Sequence, residues 1–107
     1  MSEAPKSQIL KLADLVSYQE GSVVSRQITK ADAGNVTLFA FDVGQELSEH
    51  KVPFDALVHL LDGEAEVRIS GQLYALSAGD AIIIPVNAPH ALKAKTKFKM
   101  LLTMIRA

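Results

Sequence analysis

The stretch SEHKVPFDALVHLLDG, residues 48–63, decides the fold of this chain. It runs from a histidine through a proline into an apolar segment and ends on Asp62-Gly63. Short apolar segments that close on an Asp-Gly pair are typical of β-strands joined by tight turns. His50 stands where the strand begins, and binding groups often lie at such junctions because the sheet holds them in place. The stretch therefore predicts a β-strand with a candidate functional residue at its start.

The same pattern continues through the rest of the chain. After Gly21, short segments rich in Val, Ile, Leu and Phe alternate with turns that contain Gly, Asn or Asp. In the segment EAEVRIS, residues 64–70, apolar and polar side chains alternate, so one face of the strand is buried and the other is in solvent. We therefore predict an all-β antiparallel barrel over residues 21–105, with no helix of ordinary length after residue 20.

Length and composition limit the chain to one domain and exclude several classes of function. The 107 residues can close one hydrophobic core, so we treat residues 1–107 as a single domain with an N-terminal arm at residues 1–20. The arm forms either a short helical turn or a segment lying over the barrel. The formal net charge of −1 gives no long-range attraction for nucleic acid. Because the chain has no membrane-length apolar run and no signal-peptide pattern, we expect a cytoplasmic protein without a membrane partner. The absence of cysteine excludes disulfides, thiolate metal sites and a cysteine nucleophile.

The segment MLLTMI, residues 100–105, is apolar on both faces apart from Thr103, and AIIIP, residues 81–85, is nearly so. Such strands need a cover on each face, and in a small all-β chain a second subunit often provides one. The sequence therefore predicts a homodimer. The alternative is that the N-terminal arm covers this face within one chain.

Lysine occupies every second position from Lys93 to Lys99. In an extended strand this spacing places four ammonium groups on one side, where they would bind an anion. The alternative is an edge strand and turn that their lysines keep soluble and unpaired with other sheets. We favour the edge strand, because no aromatic side chain is interleaved as single-stranded nucleic acid would require.

The three histidines differ in their surroundings. His50 lies three residues before Pro53 and His90 directly follows Pro89, so both stand at loop-to-strand junctions. His59 lies inside the apolar segment DALVHLL, where a histidine is more often a packed core or interface residue than a ligand. His50 and His90 are therefore the candidates for a site at one mouth of the barrel.

Residues 44–63 and 79–94 resemble the two sequence motifs of the cupin superfamily, whose members fold as small double-stranded β-helix (jelly-roll) barrels. The spacing of both motifs is kept without insertion. The matching residues are Gly44, His50 and Gly63 in the first motif and Gly79, Pro85 and His90 in the second. The resemblance implies a cupin-type barrel in which His50 and His90 point into one end.

The chain departs from the family pattern at four positions. Val52 and Ala56 stand where the first motif has its second histidine and its glutamate. In the second motif, Asn87 replaces a glycine and Ala94 replaces the final asparagine. Asn87 still suits its turn, because asparagine tolerates left-handed backbone better than other residues after glycine.

In metal-binding cupins, the histidines and the glutamate of the two motifs hold a divalent ion such as Mn, Fe, Ni, Cu or Zn. Carried over to this chain, the resemblance leaves His50 and His90 as the metal ligands. Two imidazoles rarely hold such an ion firmly, because stable sites usually have three or four protein ligands.

Other donors lie in the same stretch, namely Gln45, Glu46, Glu49 and Asp55. Asp55 neighbours Ala56 and should face the opposite way, because side chains alternate along a strand. The three acidic residues are more typical of a solvated surface than of a ligand set.

Two interpretations of function follow. The first is a protein that binds a small molecule or a weakly held divalent ion in the barrel, without a committed catalytic activity; its site would be lined by Val52, Ala56, Val58 and Leu60. The second is a metal-dependent cupin enzyme, of dioxygenase or isomerase type, in which water or substrate completes the coordination by His50 and His90. Some cupins of the sugar-epimerase type use a histidine with a tyrosine, and Tyr74 is the only tyrosine in the predicted barrel, although nothing places it beside either histidine.

Overall fold

The computed structural model describes residues 3–106 of the chain. Within them, one 3₁₀ turn at Leu12–Asp14 precedes nine strands. The strands are β1 (Val23–Ala31), β2 (Gly34–Phe41), β3 (Glu46–His50), β4 (Phe54–Asp62), β5 (Glu64–Ile69), β6 (Gln72–Ser77), β7 (Ala81–Ile84), β8 (His90–Ala94) and β9 (Phe98–Arg106). None of these residues lies in a helix long and apolar enough to cross a membrane.

The strands form two antiparallel sheets that enclose the core. One sheet has the order β1-β2-β9-β4-β7 and the other the order β3-β8-β5-β6. Phe41 and Phe98 stack between the sheets with ring centroids 4.4 Å apart, and both are fully buried. Burial of each such side chain stabilises the fold by about 1.5–3 kcal/mol. The all-β fold and the absence of a long helix among the described residues after residue 20 confirm the prediction.

Several turns of the barrel have a left-handed backbone, among them those at Gly63 and Asn87. Gly63, between β4 and β5, has a φ of 79°, and a Cβ at this position would lie 1.9 Å from the backbone oxygen of Lys97. Only glycine fits such a close approach of two backbone segments. Asn87 has a φ of 61°, which agrees with the role that the sequence predicts for it.

The N-terminal arm lies on the outer face of the five-stranded sheet. Ala4 and Val16 of the arm are buried against Leu38 and Ala40 of β2, and Leu101 of β9 packs against the same cluster. The arm therefore combines the two predicted alternatives, because it lies over the barrel and also contains a short helical turn, the 3₁₀ turn at Leu12–Asp14.

The arm covers only part of this face. Leu57, Ile83 and Ile105 lie beyond it and remain 37%, 63% and 57% exposed. Within one chain, the arm therefore covers the outer face of the sheet over Leu101 but leaves the same face exposed at Ile83. The predicted homodimer stays a prediction.

The alternating lysines neither lie on an edge strand nor share one side as an anion-binding stripe would require, although Lys95 and Lys97 do lie in the turn that connects β8 and β9, as the second interpretation included. Lys93 lies in β8 and Lys99 in β9, and each of these strands has a neighbour on both sides. The chain crosses from one sheet to the other between them, so the alternation does not continue on a single face. Instead, the Lys99 ammonium donates a 2.6 Å hydrogen bond to the Ala13 carbonyl and lies 5.0 Å from the ring centroid of Tyr18. This lysine holds the arm on the sheet.

Candidate functional site

His50 and His90 lie directly opposite each other on the neighbouring strands β3 and β8. The prediction that His50 begins a strand is wrong, because His50 is the last residue of β3 and the next strand begins only at Phe54, whereas His90 does begin β8. Their ring centroids are 4.3 Å apart and their planes are inclined by 59°. The register between the two strands shifts between Leu47 and His50, where the pairing is irregular. The structure therefore brings together the two histidines that the sequence singles out at the two motifs.

Backbone hydrogen bonds orient both rings in the same way. Nδ1 of His50 lies 2.8 Å from the Ser48 carbonyl oxygen, and Nδ1 of His90 lies 2.9 Å from the Ala88 carbonyl oxygen. A carbonyl only accepts, so each Nδ1 must carry the proton and each neutral ring keeps a lone pair on Nε2. Metal-binding histidines are commonly held in this way through their second nitrogen.

The two histidines differ in exposure. His90 is only 4% exposed, whereas His50 lies at the surface. No buried side-chain nitrogen or oxygen within residues 3–106 lacks a hydrogen-bond partner, so Nε2 of His90 is not sealed in the core. Both rings line a cavity, one from its inner wall and one from its solvent side.

This cavity has a volume of about 200 Å³ and lies between the two sheets. Apart from the two imidazoles, its lining side chains are apolar. They are Phe39, Leu47, Val52, Ala56, Val58, Ile84, Leu92, Met100, Leu102 and Met104. An apolar chamber with few, convergent polar groups is the usual form of a small-molecule site.

The wall differs from the sequence prediction in two respects. Val52, Ala56 and Val58 line the cavity as predicted, but Leu60 does not, because it is buried deeper in the core along the same strand. The sequence prediction missed the side chains that β2, β3, β7, β8 and β9 contribute, namely Phe39, Leu47, Ile84, Leu92, Met100, Leu102 and Met104. The alternation of Met100, Leu102 and Met104 along β9 indicates one apolar face, but it does not indicate which strands that face meets.

The donors present do not fit a firmly held metal ion. Within residues 3–106, no group of three or more His, Cys, Asp or Glu side chains is arranged to hold one. Glu46 and Glu49 line a separate groove of about 280 Å³ beside the four-stranded sheet. Asp55 accepts a 2.9 Å hydrogen bond from the Val86 amide. His50 and His90 thus offer two imidazoles without a carboxylate, which suits only weak binding of a divalent ion.

The other residues considered from the sequence lie away from the cavity. His59 is half-buried on β4, opposite Leu101 of β9 and Ala81 of β7, and does not line the cavity. Tyr74 is an exposed residue of β6 and is also absent from the cavity wall. The epimerase-type pairing of a histidine with Tyr74 therefore has no support in this geometry.

Two shifted pKa values belong to structural contacts outside the cavity. Hydrogen bonds from the amides of Gly21 and Val43, at 2.7 and 2.8 Å, lower the pKa of Asp42, with the Gly21 bond contributing most. Burial raises the pKa of Tyr18 well above its usual value, and a 2.6 Å hydrogen bond to Asp62 and the charge of that carboxylate raise it further. Asp42 anchors the loop that leads into β3, and Tyr18 anchors the arm.

Comparisons with known proteins cover the whole barrel. A family model described as the cupin domain matches residues 37–106, which include both histidines of the cavity. The chain is similar to a conserved protein of unknown function from Streptococcus pyogenes, with 33% identity and a TM-score of 0.92 over 100% of this chain and 96% of that one. It is similar to a cupin superfamily protein from Desulfitobacterium hafniense, with 30% identity and a TM-score of 0.91 over 99% and 97% of the two chains. No curated protein matches the chain.

Proposed function

This chain belongs to the cupin family, and we propose that it binds a small molecule in the cavity of its barrel, without a committed catalytic group. Cupin membership alone does not choose among functions, because the fold hosts many of them. The observation that supports this proposal is the apolar cavity of about 200 Å³ with His50 and His90 as its polar side chains.

The chemistry of the wall favours a ligand over a catalytic centre. The family positions that would supply two further metal ligands hold Val52 and Ala56, which add apolar surface to the cavity instead. Burial of an apolar ligand surface is favourable at about 25 cal/mol per Å². The two imidazoles then orient the ligand through hydrogen bonds rather than complete a reaction centre.

The cavity contains its own reporters, because the methionines Met100 and Met104 line it. In protein labelled with ¹³C at the methionine methyl groups, toluene should cause saturable shifts of both signals. Ala56→Leu fills part of the cavity and should weaken these shifts, whereas Ala75→Leu, on the exposed strand β6, should not. Unchanged methyl signals with saturating toluene in the folded wild-type protein would overturn the proposal.

A weakly held divalent ion is the second candidate, supported by the free Nε2 of His50 and of His90 on rings 4.3 Å apart. Calorimetric titration with Zn²⁺ should show weak binding that either His50→Ala or His90→Ala abolishes. Elemental analysis that finds about one ion per chain after dialysis against a chelator would instead favour the metal-dependent enzyme, in which water or substrate completes the coordination.

We also propose that a second copy of the chain covers the outer face of the five-stranded sheet beyond the arm. The support is the exposed aliphatic group of Leu57, Ile83 and Ile105 on the adjacent strands β4, β7 and β9. The same patch on both copies is what a two-fold interface requires. Analytical ultracentrifugation should give a dimer that Ile83→Asp dissociates, and a monomeric wild type at micromolar concentration would refute this proposal.

A further inference from the structure

We infer that the ligand is a compact apolar molecule, a single ring or a short branched chain, with one hydroxyl group at the end that meets His50 and His90. This inference rests on the proposed function, because it assigns a chemical class to the ligand of the same cavity. The volume of the cavity, the composition of its wall and the orientation of the two imidazoles support it.

The volume limits the size of the ligand. An apolar protein cavity of about 150 Å³ is large enough to bind benzene. The present cavity, at about 200 Å³, therefore accommodates one six-membered ring with one or two further heavy atoms. A nucleotide or a disaccharide is too large to enter it.

The wall limits the number of polar groups on the ligand. All lining side chains other than His50 and His90 are apolar. Each further hydroxyl of a sugar or polyol would lose its hydrogen bonds to water without gaining a partner, which weakens binding. The ligand therefore has its polar atoms at one end only.

The imidazoles select the kind of polar group. Because both Nδ1 atoms donate to backbone carbonyls, the neutral rings present Nε2 lone pairs, which accept hydrogen bonds. No lysine or arginine among residues 3–106 lines the cavity, so a carboxylate would meet these lone pairs without a compensating charge. A hydroxyl, which donates, fits this arrangement.

Three probes of matched shape test the inference, namely toluene, p-cresol and p-toluate. The methyl signals of Met100 and Met104 report the affinity of each. We expect p-cresol to bind about tenfold more tightly than toluene, which corresponds to the net gain of one hydrogen bond. p-Toluate should bind more weakly than toluene.

Histidine variants connect this difference to the site. One hydroxyl donates one hydrogen bond, so in at least one of the variants His90→Leu and His50→Leu the affinity for p-cresol should fall to that for toluene, while the affinity for toluene stays the same. His59→Leu is the matched control, because His59 lies outside the cavity, and it should leave the preference for p-cresol unchanged. If His90→Leu does not fold, His50→Leu at the exposed member of the pair serves in its place.

The outcomes separate the inference from the proposed function. If neither toluene nor p-cresol shifts the methionine signals, both fail. If the two bind equally, if p-toluate binds more tightly, or if the preference for p-cresol survives in both His50→Leu and His90→Leu, the inference fails and the proposed cavity function remains.

Discussion

Val52 lies on the cavity wall at the family position of a second histidine, and Val52→His should add the third ligand that a firm ion site beside His50 and His90 needs. Its backbone is held in place, because its carbonyl accepts a 2.9 Å hydrogen bond from the Asn87 amide. The substitution therefore adds a third imidazole on a fixed backbone, beside two that backbone carbonyls already orient. Three protein ligands are the number found in catalytic zinc sites.

The expected gain follows from known metal sites. Loss of a group that merely orients a metal ligand costs about 10–100-fold in affinity, so a whole ligand should add at least about 100-fold. Calorimetric titration with Zn²⁺ measures this gain, and native mass spectrometry should show one ion per chain. The double variant Val52→His, His90→Ala should return to weak binding.

Val43→His provides the control for an added histidine. Val43 is 55% exposed, and it lies before β3, whereas His50 ends that strand. If Val43→His and Val52→His raise the affinity for Zn²⁺ equally, or if Val52→His binds no better than the wild type, then the missing ligand at position 52 does not explain the weak site.

Three further predictions concern the fold around the cavity. Gly63 and Gly71 both have a positive φ, so alanine at either position should cost about 1–2 kcal/mol of stability from the backbone alone. Only at Gly63 would the new Cβ also meet a backbone oxygen, at 1.9 Å. Urea unfolding should therefore show a loss above about 4 kcal/mol for Gly63→Ala alone, and equal losses would contradict the close approach. The pKa of Asp42 is lower in the folded chain than in the unfolded chain, where it is about 3.9. Ionised Asp42 therefore stabilises the fold at pH values above about 3.9, and this stabilisation is lost as the pH falls through the pKa of the folded chain. Asp42→Asn should thus destabilise the protein at neutral pH and progressively less in acid. A difference in unfolding free energy between the wild type and Asp42→Asn that does not change with pH would refute this role of Asp42. The pKa of Tyr18 is higher in the folded chain than in the unfolded chain, where it is about 10. The protonated phenol therefore stabilises the fold at pH values below about 10, and this stabilisation is lost as the pH rises through the pKa of the folded chain. Ultraviolet titration of Tyr74→Phe, which leaves Tyr18 as the sole tyrosine, should show no phenolate at its ordinary pKa while the arm stays bound.

The barrel could be predicted from the sequence because its signals are local. Alternation of apolar and polar residues, as in residues 64–70, predicts a half-buried strand. Turn residues such as Gly63 and Asn87 then mark where strands end. The two motifs carry His50 and His90, and the structure places them opposite each other because His50 ends β3, His90 begins β8 and the two strands pair antiparallel.

The rest depends on contacts between distant segments. Alternation assigns Leu60 to the same face as Val58, but its depth is set by where β4 lies relative to β9, so its absence from the cavity wall could not be predicted. The position of the arm depends on pairs such as Tyr18 with Asp62, which are 44 residues apart. The lysine pattern misled because a change of sheet between Lys93 and Lys99 has no local signal.

The density between His50 and His90 in crystals grown without added metal or chelator tests the account most directly. Diffraction data collected at the absorption edges of first-row metals would reveal an ion by its anomalous signal. The account predicts water or an organic ligand within hydrogen-bond distance of the two Nε2 atoms and no fully occupied anomalous peak. A full-occupancy peak at about 2.0–2.1 Å from both Nε2 atoms would contradict it, and would make the barrel a metal centre.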